Sequence, residues 1–292
     1  MSNFIKRLAT AIVGIPFLGL ALFAYDGVAV PAILVVLVSL LLWECTKLFR
    51  LERKLWQLGY AALGAFVLIY AMSVDLSIFV QEPVLMSLLL LLCIVIPISV
   101  LGFTHRAASD ASTLPEVRQE EPDIKTQVGY AIGCFLAIVF MGFSLYLLDT
   151  HFGILMLLVT LVVAWVTDTG AYVVGKAIGK RPFLNKISPT KTLEGAIGGY
   201  VAGFLAALGF GLIWLKPSYG WATIHIVIFA AIAPVLAILG DLMESKLKRN
   251  LDAKDAGAIL PGHGGLLDRV DSVLLVAPVT LIYASLLVAR IL

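Results

Sequence analysis

Apolar residues run through this chain in long unbroken stretches rather than in alternation. A membrane-crossing helix needs about 20 mostly apolar residues. Nine stretches come near that length, at 8–25, 27–46, 57–75, 84–103, 128–148, 152–175, 195–215, 222–243 and 270–290. Their continuity argues against a transmembrane barrel, whose strands alternate apolar and polar positions. The first stretch follows Lys6 and Arg7 as a signal peptide would. It lacks a small-residue cleavage site and eight more stretches follow it, so it reads as a retained helix. The pattern predicts an all-α, polytopic integral membrane protein of about nine transmembrane helices.

The polar connections set the orientation. Cytoplasmic loops carry an excess of Lys and Arg. With the N-terminus cytoplasmic, 19 of the 21 basic residues fall on the inner side, and only Lys216 and Arg290 fall outside. Outer connections such as Tyr25-Asp26-Gly27 and Asp149-Thr150-His151 are too short to hold a domain. The inner loop from Thr104 to Gln127 is polar, acidic and Pro-containing. It makes a natural boundary between a four-helix region, 1–125, and a five-helix region, 126–292.

Composition agrees with this picture and narrows the function. The chain has 292 residues, 61% of them hydrophobic and 14% charged, with a mean hydropathy of +1.01. A soluble domain is about 45–50% apolar and about 25% charged. A soluble globular enzyme, a disordered chain and a nucleic-acid binder with a basic face are all excluded. Net charge is only +2. Cys45, Cys93 and Cys134 are far apart in sequence and lie in apolar runs, which is neither a disulfide framework nor metal-ligand spacing.

The scarce charges are therefore the informative residues. An Asp or Lys at a helix centre costs about 2.5–3.5 kcal/mol on insertion scales and is usually functional or paired. Glu44 sits near the end of the second stretch and Asp168 at the inner end of the sixth. Asp241, Glu244 and Ser245 close the eighth, and Asp268, Asp271 and Ser272 open the ninth. The last two segments share the pattern acid-x-x-acid-Ser. On a helix, positions i, i+3 and i+4 share a face, so each would present two carboxylates and a hydroxyl together. Carboxylates gathered that closely call for cations. Oxygen-only ligands suit a hard ion such as Mg²⁺. Ion pairs with Lys248, Arg249, Lys254 and Arg269 are the plainer reading of the same acids.

Two inner loops carry phosphate-binding chemistry. Between Lys248-Arg249 and Asp268-Arg269 lie Lys254-Asp255, Gly257 and His263-Gly264-Gly265. Glycines let backbone N–H groups approach an anion closely, and Lys and Arg supply charge for phosphate oxygens. The other loop, Ser188-Pro189-Thr190-Lys191-Thr192-Leu193-Glu194-Gly195, reads as a helix start with hydroxyls before its first turn. A cap accounts for Thr192 but not for Lys186 and Lys191 beside it.

Two other motifs carry less. Gly170 to Lys176 matches a P-loop until Ala177 replaces the required Ser or Thr, and it lies within an apolar helix. Gly195, Gly199 and Gly203 form a small-xxx-small stripe, which favours close helix packing, with a homodimer as the second reading.

The run from Ser245 to Asp271 resembles the signature of the phosphatidate cytidylyltransferase (CDP-diacylglycerol synthase) family. Its matching positions are Ser245, Leu247, Lys248-Arg249, Lys254-Asp255, Gly257, His263-Gly264-Gly265, Leu266, Asp268-Arg269 and Asp271. Asp168-Thr169-Gly170-Ala171-Tyr172 and the Ser188 to Gly195 segment also resemble that family. The first four stretches share only its general character.

The resemblance implies the reaction CTP + phosphatidate → CDP-diacylglycerol + pyrophosphate, at the cytoplasmic face of the cell inner membrane. It points to Asp241 and Asp268 as Mg²⁺ ligands, with a second cation alongside, and Asp271 and Asp168 as further metal or nucleotide contacts. Lys191, Lys248, Arg249 and Arg269 would bind phosphates, and His263-Gly264-Gly265 would cradle the triphosphate. Ser188, Thr192, Glu194, Ser245 and Lys254 complete the expected substrate contacts. Phosphoryl-type transfer is mostly positioning and charge neutralisation. A phosphomonoester with a second pKa of about 6 is already largely anionic, so no strong general base is needed. A CTP-dependent lipid kinase, such as a polyprenol kinase, would share a CTP site but release CDP. An ion-coupled transporter would place its ionisable groups near mid-bilayer, whereas these cluster at one face.

Overall fold

The structure is a computed structural model. It describes residues 29–49, 54–74, 124–184, 187–188, 190–253, 255–257, 259 and 264–288. Of the sequence expectations, the stretches at 8–25 and 84–103, most of the 104–127 loop, Cys93, Lys186, Lys254 and His263 lie outside the described residues.

The described residues form helices joined by short connections. They are α1 (Ala29–Leu48), α2 (Lys54–Ser73), α3 (Ile124–Phe152) and α4 (Ile154–Ile178), followed by α5 (Leu193–Phe210), α6 (Thr223–Asn250) and α7 (Val273–Val288). α5 continues through a π turn, Gly211–Leu215, into a last turn, Lys216–Tyr219. Among the described residues there is no strand, only an isolated bridge between Pro182 and Thr192. Six of these helices are long and apolar enough to cross a membrane, and Val273–Val288 is a shorter apolar helix. Each overlaps an apolar stretch of the sequence, though Thr223–Asn250 runs seven residues past the end of the 222–243 stretch and carries Lys248 and Arg249 on its last turns.

Burial sorts the helices. α7 is apolar all round and lies inside the bundle, touching α3, α4 and α6, as a helix without a polar face should. α2 is its opposite, with Leu55, Trp56, Phe66 and Tyr70 exposed on the outside of the bundle. Val173, Ile197, Leu205 and Ile213 are exposed likewise. Apolar side chains turned outward over so broad a band mark a lipid-facing surface.

The most extensive contact between helices joins α4 and α5. It is made by small residues. A Cβ on Gly199 would lie 2.7 Å from the Thr167 carbonyl oxygen, and one on Gly203 would lie 2.1 Å from Thr167 Oγ1. The stripe Gly195, Gly199 and Gly203 is thus occupied inside the chain, against α4 and Pro234 of α6, rather than offered to another copy. Cys45 and Cys134, far apart in sequence, bring their thiols together between α1 and α3.

Two local expectations take a different form. Thr192 does cap α5, its Oγ1 accepting the Gly195 N–H at 3.1 Å. The segment Asp268 to Ser272, however, does not open a helix. Leu267–Arg269 is a 3₁₀ turn, and α7 starts only at Val273. Aspartate competes with helix formation by bonding nearby backbone. Here Asp268 accepts the Gly265 N–H at 3.0 Å and Asp271 accepts the Ser272 N–H at 2.8 Å. The two carboxylates therefore do not share one helix face.

Candidate functional site

One stripe of α6 organises the charged residues. Asp241, Glu244, Ser245 and Lys248 stand at i, i+3, i+4 and i+7, on a single face of the helix near its C-terminal end. The connection before α5 and the turn before α7 meet this stripe at different heights. Two charged groups result.

The first surrounds Lys191. Its Nζ lies 2.6 Å from Asp241 Oδ2 and 3.5 Å from Ser245 Oγ. Ser272 Oγ donates to Asp168 Oδ2 at 2.6 Å, which ties α4 to the start of α7. Burial, reinforced by the nearby Asp241 and Asp168 carboxylates, pushes the Asp271 carboxyl well above the usual range. Three aspartates from α4, α6 and the turn before α7 thus converge about one ammonium. Arg269, exposed, is close enough for its charge to act on Asp168.

The second surrounds Lys248. Its Nζ is 2.6 Å from Asp268 Oδ1 in good hydrogen-bond alignment. It lies at the same distance from Glu244 Oε2 but out of line for a hydrogen bond. Glu244 precedes Lys248 by four residues, the favourable order for such a pair on a helix. Asp268 also accepts the backbone N–H of Ala256 at 3.3 Å. Burial would raise the Asp268 carboxyl, but the Lys248 ammonium and the Gly265 N–H bonded to it outweigh that and hold it below its ordinary value.

A cleft of about 390 Å³ opens beside the first group, between α4, α5 and α6. Ligand pockets are typically about 300–1,000 Å³. Asp168, Asp241 and Lys191 line it together with Lys176, Thr190 and Thr192. Its wall is the backbone of Ala171, Gly175 and Gly195, where the small residues of α4 and α5 meet.

Other expected contacts are placed less centrally. Ser188 is buried beneath the loop that precedes α5. Glu194 is engaged by Arg181, whose Nε donates at 2.9 Å, and by the N–H groups of Lys180 and Arg181. It anchors that loop instead of facing Lys191. Arg249 is exposed and donates to the Ala253 carbonyl at 3.3 Å. Gly264 has φ +81°, a left-handed conformation that glycine adopts without strain, and Gly265 packs against Ala256 and Gly257.

The donor set suits a hard divalent cation in kind, since it is all carboxylate and hydroxyl oxygen. Five carboxylates, Asp168, Asp241, Glu244, Asp268 and Asp271, stand against the ammoniums of Lys191 and Lys248. Among the described residues no three His, Cys, Asp or Glu side chains are gathered in metal-holding geometry. Lysine nitrogens hold the positions facing Asp241 and Asp268 instead.

A family model described as "Cytidylyltransferase family" matches residues 5–287. The chain belongs to this family. Among its curated relatives is the phosphatidate cytidylyltransferase of Bacillus subtilis (strain 168), 43% identical over 148 residues, covering 49% of this chain and 54% of the relative. The protein of that name from Staphylococcus saprophyticus is 39% identical over 147 residues, covering 50% of this chain and 55% of the relative. That from Haemophilus influenzae is 39% identical over 134 residues, covering 46% of each. The chain thus aligns over about half the length of these relatives.

Three residues that the sequence named without an individual role belong to the site. Tyr172, Lys176 and Thr190 line the cleft, and Lys176 lies over the Tyr172 ring at 5.7 Å. The rejected P-loop match had already marked Lys176. No sequence signal pairs Ser272 with Asp168, 104 residues away.

Proposed function

We propose that this chain is a phosphatidate cytidylyltransferase, converting CTP and phosphatidate to CDP-diacylglycerol and pyrophosphate. The observation that carries the reading is the Asp241–Lys191 pair, set at the end of apolar helices beside a polar cleft. A lipid substrate requires a site at the membrane boundary, and two phosphate substrates require cations and N–H donors within it. Membership of the cytidylyltransferase family and the names of the relatives support the same conclusion. The connection that carries Lys191 and the end of α6 that carries Lys248 belong to the basic side of the chain, so the site is assigned to the cytoplasmic face of the inner membrane.

In this reading Lys191 and Lys248 leave their carboxylates to bind phosphate oxygens, with Arg269 at the exposed rim. Asp241, with Asp168 and Asp271, would hold Mg²⁺, and Asp268 a second cation. A bound cation would neutralise charge on the transferring phosphoryl group. Ser272 orients Asp168, and Thr192 fixes the start of α5 behind Lys191. The phosphatidate oxygen attacks the α-phosphorus of CTP and pyrophosphate leaves, without a proton transfer that would need a strong base.

The test is to incubate the purified protein with cytidine-labelled CTP, phosphatidate and Mg²⁺. Pyrophosphate together with a cytidine-labelled lipid is expected. CDP release with a phosphorylated lipid would replace this reading with a lipid kinase, and neither product would refute it.

A further inference from the structure

Glu44 is a buried carboxylate that the proposed reaction leaves unused. It sits near the end of α1 with 0% exposure. Its Oε2 accepts the backbone N–H of Leu267 at 2.8 Å, across 223 residues of chain. Its Oε1 is buried with no hydrogen-bond partner among the described residues. The other arm of the same loop presses on it. A Cβ on Gly257 would lie 2.2 Å from Oε1 and 2.7 Å from Cγ. The two arms also touch each other, since a Cβ on Gly265 would come 2.9 Å from the Gly257 nitrogen.

Leu267 immediately precedes Asp268, the partner of Lys248. The same short stretch thus has two carboxylates bonded to its backbone. Asp268 takes the N–H groups of Ala256 and Gly265. Glu44 takes that of Leu267 from a helix outside the loop and outside the last two helices. A buried, ionisable side chain at a membrane helix end is unfavourable unless it performs a task. Packing alone would be served by an apolar residue of similar size.

We propose that Glu44 is a positioning residue: by accepting the Leu267 N–H and backing Gly257, it sets the glycine-rich loop so that Gly265 and Asp268 face the nucleotide phosphates. The nucleotide part rests on the function proposed above. The loop-setting part does not, and the two are separated by measuring both backbone exchange and kinetics.

The protein in nanodiscs is compared as wild type, Glu44→Ala and Glu44→Gln. Loss of a hydrogen bond to a charged acceptor should speed amide exchange at Leu267 roughly tenfold or more, while α4 and α6 keep their protection. The KM for CTP should rise roughly fivefold or more, with the KM for phosphatidate within about twofold. Glu44→Gln retains an acceptor oxygen and should recover most of both effects. If Glu44→Ala does not fold, Gly257→Ala is the second variant, because its methyl group meets the same carboxylate and should produce the same pattern. Unchanged exchange at Leu267, equal rises in both KM values, or a Gln variant no better than Ala would each overturn the proposal. A wild-type protein that makes no cytidine lipid would refute the proposed function, while the exchange result would still decide the role of Glu44.

Discussion

Replacing Lys248 with methionine removes the charge from the second group while nearly keeping its volume. Lys248 Nζ lies 2.6 Å from both Glu244 Oε2 and Asp268 Oδ1, and the three side chains are 12%, 1% and 14% exposed. Breaking a buried ion pair by removing one partner costs about 3–5 kcal/mol, because a charge is left buried and unpaired. Asp268 retains the N–H groups of Ala256 and Gly265 and some solvent, so most of the cost falls on Glu244. The lower end of the range, about 3 kcal/mol, is therefore expected for Lys248→Met. At roughly 2–4 °C per kcal/mol for a chain of this order, the melting temperature should fall by about 6–12 °C. Adding Glu244→Gln removes the stranded charge, and the double variant should regain about 2 kcal/mol of the loss. The measurement is thermal unfolding in detergent of the wild type, both single variants and the double. A Lys248→Met protein that melts within about 1 °C of wild type would refute the reasoning. So would a double variant whose loss is simply the sum of the singles, because the effect would then not pass through Glu244.

Three further outcomes are expected. Asp268→Asn should lose roughly 100-fold or more of cytidine-lipid formation while remaining folded and inserted; near-normal product would remove Asp268 from the phosphate site. Gly203→Ala should lose about 1–3 kcal/mol in the same unfolding assay, since its methyl group would lie 2.1 Å from Thr167 Oγ1. Gly209→Ala, with nothing within 4 Å, is the control that should hold or gain stability. Asp271 has its folded pKa raised, so its ionisation opposes folding, and the penalty grows as pH climbs above the unfolded value of about 3.9. In chelator, Asp271→Asn should therefore be more stable than wild type at pH 7 and equal to it below about pH 3.9; equal melting at both pH values would contradict the shift.

Much of the bundle was legible because each helix is specified by its own residues. The 27–46 and 152–175 stretches needed nothing from elsewhere in the chain, and α1 and α4 lie within a few residues of them. The Thr192 cap was legible for the same local reason. Pairing was not. Lys191 is bonded to Asp241 and Asp168 to Ser272 because α4, α6, the connection before α5 and the turn before α7 place them together, and no periodicity encodes that. Cys45 and Cys134 meet for the same reason. The repeated acid-x-x-acid-Ser pattern misled because only the first copy lies in a helix. In the second, a glycine-rich approach offers free N–H groups that Asp268 takes in preference to helical geometry. Glu44 was visible as an anomalous charge, but its partner 223 residues away was not.

The glycine seam between α4 and α5 bears on how this cleft can diversify. Its back wall is main chain meeting main chain, so no rotamer can be exchanged there to make the space wider or narrower. A larger residue at Gly195 or Gly199 would part the helices rather than reshape the chamber. Altered ligand preference in descendants of this sequence is therefore expected in the side chains around the seam, such as Tyr172, Lys176, Phe183 and Thr190 at the rim and Ile238 on α6. The seam works as a fixed gauge, and the side chains around it are where natural variation or a protein engineer has freedom to act.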